Sequence, residues 1–477
     1  MTAIGTLEPS SFEKRLVAVG LFVFFLLSLC ISLASSGTYD AGDSVMHYQI
    51  AHYAFQHPEN LLSHWGKPFF TLIAAPFAAM GFGGIKLFQC LLVLGTGWFT
   101  YQNARHAGLK WAWMAPILVL AAPEFFLSQL SGLTEPLFAF VLTLGVFWLL
   151  KGKSIAGALL LSLLPFVRTE GFLLLPAFGL WLAWRKQWKS LPFLAFGTGV
   201  YAILGGIFLG DFLWIWTANP YAGKPLNYGL GEALHFPEKY LYVVGIPIYV
   251  LTLLGFVMLP IRMAIQRMAR PMDEILLFFG PFCIYFGAHI YFWVSGTGHS
   301  MGLLRVMIAI LPLGALIAHS GITQLLCWIP ASLSKIRIGL LGGIAAYVLA
   351  FPMIPNPASI DVKELSLTVD QQLLKETAEA MREKGLLNRK IYSAHPSAAY
   401  FCEIDPFDPA QYRSLNRYKA DNTAAGCLIV LDTWFAKVES GYDRAFFESR
   451  TSEYRLLDFK EGSDANTAIG IYVYEKI

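Results

Sequence analysis

The sequence predicts an all-α polytopic membrane domain of about eleven spans, followed by a soluble C-terminal α/β domain. Three observations carry that expectation. The 477-residue chain is 56% hydrophobic and 14% charged, with mean hydropathy +0.53, more apolar surface than a soluble domain needs. Lysine and arginine recur between the apolar runs, as they do in loops on one side of a bilayer. Acids crowd beyond Pro352-Met353-Ile354-Pro355-Asn356-Pro357: residues 355–477 hold nineteen Asp and Glu, against thirteen before them. The net charge of +3 is small and gives no reason to expect nucleic acid as a partner.

The first apolar run, 16–34, follows Glu13, Lys14 and Arg15. It is long and no clear small-residue cleavage motif follows, which favours a retained helix over a signal peptide. The remaining spans are expected at 84–103, 111–129, 134–150, 154–167, 171–184, 191–209, 241–260, 274–294, 303–325 and 338–354. This alternation puts fourteen Lys and Arg on one side with Lys14 and Arg15. It leaves six elsewhere: Lys67, Lys86, Arg168, Lys224, Lys239 and Arg305. The amino terminus is then cytoplasmic and the carboxyl terminus outside. Counting 67–82 as a further crossing breaks the charge pattern. That stretch is read as a helix lying along the outer interface, inside a first outer loop of 35–83. Span 154–167 is short of the ~20 residues a crossing takes, which places Arg168 and Glu170 in a polar cavity below the outer surface.

The membrane domain is thus 1–354, and 355–477 is an extracytoplasmic domain with its own core. Leu373, Leu374, Thr377, Ala378 and Met381 follow helical spacing, with Gly385 as a stop. Residues 390–393, 427–432, 455–460 and 469–474 read as strands. Cys402 and Cys427 are either a disulfide or two buried thiols. No cysteine spacing resembles a metal site.

Ionisable groups near lipid mark function by default, and here they fall on one side. Gly42-Asp43-Ser44-Val45-Met46-His47-Tyr48 follows the first span. A helix there puts Asp43 and His47 on one face, and a carboxylate beside an apolar cavity suits a general base. Asp43 as a plain helix cap is the competing reading; Asp40 reads first as a loop acid. In His64-Trp65-Gly66-Lys67-Pro68, Lys67 is a point charge for a phosphate or a snorkelling lysine. Glu135 opens a span, and Arg168-Thr169-Glu170-Gly171 lies between two, where Arg168 and Glu170 either serve a site or neutralise each other. Tyr221, in an aromatic-rich loop, either stacks on a sugar or lines the interface. His299 precedes Arg305, which needs an anion: a lipid phosphate or a carboxylate of the bundle.

These motifs resemble the GT-C superfamily of membrane glycosyltransferases, nearest to its protein mannosyltransferase and aminoarabinose lipid A transferase group. Asp43 matches the first acid after the first helix, and Lys67-Pro68 the element that follows it. Leu133-Thr134-Glu135-Pro136 matches the acidic motif at the fourth span, and Arg168-Thr169-Glu170-Gly171 is similar to an Arg-Pro-Glu-Gly motif. His299 and Arg305 resemble the basic residues of a later outer loop. The resemblance implies a GT-C-like fold, residence in a bacterial inner membrane, and inverting transfer from a polyprenyl-phosphate sugar. It implies Asp43 as base, Lys67, Arg305, His299, Arg168 and His64 at the donor phosphate, and His47, Glu135, Glu170, Asp40 and Tyr221 around a glycan, lipid or protein acceptor. A divalent metal stays open as cofactor, although Ser44 stands where the usual acid pair has Glu. An O-antigen ligase or polymerase is disfavoured by Asp43, and a transporter by the lack of duplicated halves.

Overall fold

The computed structural model describes residues 11–221, 229–265, 271–298, 300–417, 419–464 and 467–477. Among them six helices are long and apolar enough to cross a membrane: Ser11–Ala34, Phe82–His106, Trp188–Phe208, Met272–Ser295, Leu304–Cys327 and Ala331–Met353. Pro123–Leu130 and Glu135–Leu150 make a seventh if taken as one span bent by 118°. Other expected crossings fall on shorter helices, Ser154–Phe166, Gly171–Trp184 and Ile246–Ile261. The sequence count of about eleven registers apolar runs. Rod length registers something else, because prolines such as Pro165 and Pro176 interrupt those runs or lie within short helices.

The bundle packs around Leu304–Cys327, the most buried of the long helices. Glycines permit its closest approach. A Cβ on Gly321 would sit 2.8 Å from the Gly255 Cα, so these two backbones touch directly. The bend at residues 131–134 matters most for the site, since it opens Glu135–Leu150 with Glu135 in the first turn. Gly132 donates its N–H to Ser44 Oγ at 2.7 Å. A Cβ there would lie 2.3 Å from the Ser44 carbonyl oxygen. The bend is thereby tied to the segment that follows the first helix.

That segment forms the helix Asp43–His52, a 3-10 turn Pro58–Leu62 and the helix Pro68–Ala78. At eleven residues the last is only about 16 Å long, roughly half a hydrocarbon core.

The C-terminal part opens with the helix Val369–Glu383, and Gly385 follows at φ +67°. Five strands make one sheet: β1 Ile391–Ser393, β2 Tyr412–Ser414, β3 Leu428–Asp432, β4 Tyr454–Asp464 and β5 Thr467–Lys476. Their order is β2-β1-β3-β5-β4, with β1 parallel to β2 and β3, and β5 antiparallel to β3 and β4. β3 is buried on both faces. Leu428 and Val430 join a layer with Leu374, Met381 and Cys402, while Ile429 and Leu431 join Tyr392, Phe447 and Cys427. Cys402 and Cys427 lie on opposite sides of the sheet, and all six cysteines are free.

Replacing Gly132 with alanine is expected to lower stability by about 1–3 kcal/mol, because the added methyl meets a fixed carbonyl. Gly343, in the helix Ser334–Ala350 with nothing within 4 Å of a Cβ, is the control. Gly343→Ala is expected to gain about 0.5–1 kcal/mol. Thermal unfolding of the purified variants checks both.

Candidate active site

Two arginines, four carboxylates and a lysine converge where the segment 40–67 meets the bundle. Arg305 bridges the first pair of acids, with Nη1 2.6 Å from Asp40 Oδ2 and Nη2 2.5 Å from Asp43 Oδ2. Arg168 bridges the second pair, with Nη1 2.6 Å from Glu135 Oε1 and Nη2 3.0 Å from Glu170 Oε1. Each arginine fork thus holds two acids. Such charge-assisted contacts are strong when they satisfy one another away from water.

The four acids are not equivalent. Glu135 is 2% exposed, pinned behind Arg168. Asp40 is saturated: Oδ2 meets Arg305, while Oδ1 accepts the N–H groups of Gly42 at 2.9 Å and Ser44 at 3.2 Å. Asp40 therefore shapes the turn that starts the helix Asp43–His52. Asp43 is 35% exposed and meets Arg305 through Oδ2. Its surroundings are an ion pair and solvent, not the apolar cavity expected from sequence.

Lys67 is the exception among the cations. Among the described residues it pairs with no carboxylate; Nζ donates to Tyr221 Oη at 2.9 Å and Thr169 Oγ1 at 3.2 Å. The ammonium also lies 4.2 Å from the Tyr221 ring centre, and that ring stacks on Trp65 at 5.7 Å. The backbone of Lys67 sits at φ +61°, ψ +101°, a conformation costing a side-chain-bearing residue about 1–3 kcal/mol. Strain and burial are both accepted here to hold one ammonium at a narrow recess of about 10 Å³, lined by His64, Thr169, Phe172 and Trp214 among others. Burial pulls its pKa down to about 7; Glu170 opposes that fall and Arg168 adds to it.

The histidines behave differently from one another. His64 has Nε2 2.9 Å from the Ile215 carbonyl, where the ring can only donate, and burial lowers its pKa. It lines the recess with Nε2 turned to that carbonyl. His47 lies one helical turn after Asp43, as expected. Burial, with Lys67, Arg305 and Arg168 nearby, lowers its pKa to about 3, so its imidazole stays neutral. His299 lies outside the described residues. His289, overlooked in the sequence, places Nε2 3.6 Å from Glu170 Oε1. An ionisable residue inside the apolar helix Gly280–Ser295 was the signal available for it. Thr169 had no comparable signal.

A divalent ion does not suit this donor set. Asp40 and Asp43 already share Arg305, and no group of three or more His, Cys, Asp or Glu among the described residues could hold a metal.

Lys67 carries its charge below a pH of about 7 and loses it above. Binding of a lipid phosphodiester to the free protein is therefore expected to weaken as pH rises through 7, by up to about tenfold per unit. Lys67→Arg, charged throughout, is expected to remove the inflection. Fluorescence titration of a labelled lipid between pH 6 and 9 checks this.

No protein-family model matches the sequence, and no curated protein matches it. Solved structures do match in fold, two of ArnT among them. ArnT from Cupriavidus metallidurans bound to undecaprenyl phosphate superposes with TM-score 0.65 at 10% identity, covering 97% of this chain and 98% of that one. ArnT from Cupriavidus metallidurans in the apo state gives 0.63 at 12% identity, covering 95% and 98%. The chain therefore has the fold of ArnT.

Proposed function

We propose that this protein is a membrane glycosyltransferase that moves a sugar from polyprenyl phosphate to an acceptor hydroxyl at the outer face. The observation that carries the reading is Lys67, a buried cation without a carboxylate partner among the described residues, at the edge of a recess and within electrostatic reach of Asp43. The fold shared with ArnT, one structure of which holds undecaprenyl phosphate, supports the same donor class.

An apolar groove of about 320 Å³ adjoins the recess and shares Pro68 with it. Leu61, Leu62, Leu72, Leu204 and Phe208 line it, a surface suited to a prenyl chain. With the tail there, the phosphate reaches Lys67. Asp43 Oδ1, which has no hydrogen-bond partner among the described residues, takes the proton of the acceptor hydroxyl. The acceptor oxygen bonds to the anomeric carbon as the carbon–oxygen bond to phosphate breaks. Its electron pair goes to the phosphate oxygen, whose charge Lys67 neutralises. A single displacement inverts the anomeric centre. Arg305 and Arg168, each bridging two acids, hold the frame. The acceptor is a glycan, lipid or protein.

Transfer from a radiolabelled polyprenyl-phosphate sugar by purified protein tests this. Asp43→Asn is expected to slow transfer by about 10²–10⁴-fold, and Lys67→Met to weaken donor binding. Undiminished transfer by Asp43→Asn removes the base from the scheme. Sidedness is tested with Cys30 and Cys283 replaced by alanine and single cysteines introduced at 43 or 153. An impermeant maleimide added outside is expected to label 43; labelling at 153 alone inverts the topology.

A further inference from the structure

The turn carrying the acids is held from a place more than three hundred residues away. Gln371, in the helix Val369–Glu383, is fully buried. Its amide nitrogen lies 3.0 Å from Thr38 Oγ1 and 3.3 Å from Ser397 Oγ; its amide oxygen lies 3.2 Å from Thr38 Oγ1, a more distant acceptor for that hydroxyl than the Asp40 carbonyl at 3.0 Å. Each hydroxyl has one proton to pass on. Thr38 Oγ1 donates to the Asp40 carbonyl at 3.0 Å, and Ser397 Oγ to the Ala41 carbonyl at 2.9 Å. One primary amide thus sets two relays that end on consecutive carbonyls just before Asp43.

The relay is braced on the C-terminal side. Ser397 N–H donates to His395 Nδ1 at 3.1 Å, which leaves His395 Nε2–H for Asp370 Oδ2 at 3.0 Å. Asp370, His395 and Ser397 have the composition of a hydrolase triad but not its wiring, because the imidazole meets the serine backbone and not its hydroxyl. Phe435 adds a steric stop: its ring packs on His395 and lies 3.7 Å from where a Gly42 Cβ would be.

We propose that Gln371 is a positioning residue, through which the C-terminal α/β part fixes the aim of Asp43. The proposal rests on the reading of Asp43 as the base. The physical reason is donor polarity. Gln371 offers two N–H groups, so both hydroxyls accept from it and donate to the turn. A carboxylate of the same shape offers none, draws both hydroxyl protons to itself, and strips the Asp40 and Ala41 carbonyls of their partners.

Gln371→Glu in the full-length protein is the test, with Thr38→Val as a second break of the same relay and Thr38→Ser as the conservative control. Hydrogen exchange at Gly42 and Ser44, whose N–H groups are held by Asp40 Oδ1, is expected to accelerate in Gln371→Glu and Thr38→Val. kcat is expected to fall about ten- to hundredfold with the KM for donor unchanged, and Thr38→Ser to behave as wild type. Unchanged exchange in both breaking variants overturns the proposal, as does faster exchange with kcat intact. A wild-type protein without transfer activity defeats the glycosyltransferase reading alone, and the exchange measurement still decides whether the relay holds the turn.

Discussion

Charge pairing organises everything at the mouth of this bundle. A guanidinium buried near lipid needs anions, and each of the two arginines has taken a pair of carboxylates: Arg305 the distant Asp40 and Asp43, Arg168 the more remote Glu135 and the neighbouring Glu170. Arg305 ties the end of the first helix to the start of Leu304–Cys327. Arg168 ties the bend before Glu135–Leu150 to the start of Gly171–Trp184. Removing either arginine would leave two carboxylates uncompensated, at roughly 3–5 kcal/mol. These pairs are therefore structural first, and their chemistry lies in what they leave over: the second oxygen of Asp43 and the ammonium of Lys67.

The frame around that remainder draws on both parts of the chain. Backbone hydrogen bonds stitch Gly37 to Leu365, and Ser35 Oγ donates to the same carbonyl at 2.5 Å. His57 meets Asp405 at 2.7 Å, and the Tyr48 ring packs edge-on to Tyr400. A site whose acid lies on a turn gains precision only when that turn is supported by rigid neighbours. Here the sheet and its first helix supply the support, while the bundle supplies the cation.

Much of this was legible in the sequence because ionisable residues are rare in an apolar chain. Asp43, Lys67, Glu135, Arg168, Glu170 and Arg305 stand out for that reason, and they do gather. Their pairing was not legible, since Arg305 had a phosphate or Glu170 as plausible partners and took Asp40 and Asp43. Asp40 looked like a loop acid and proved to be the anchor of the turn. Ser44 looked like a departure from an acid pair, and its burial against Gly132 gives the steric reason a longer side chain is absent. Strands near 391, 428, 454 and 467 appeared where alternating or continuous apolar runs suggested; β2, Tyr412-Arg413-Ser414, has one apolar residue and so carries no such run. Thr38, Gln371 and Ser397 are neutral residues of common types, so nothing local distinguishes them before the chain is folded.

The central claim is that Lys67 is the cation reserved for phosphate. A density map of the protein with a bound polyprenyl phosphate tests it most directly. The account predicts a phosphate oxygen about 3 Å from Lys67 Nζ, the prenyl chain leading toward Leu72 and Phe208, and both arginines still on their acids. Phosphate seated on Arg305 or Arg168, with Lys67 still bonded to Tyr221 and Thr169, would contradict it.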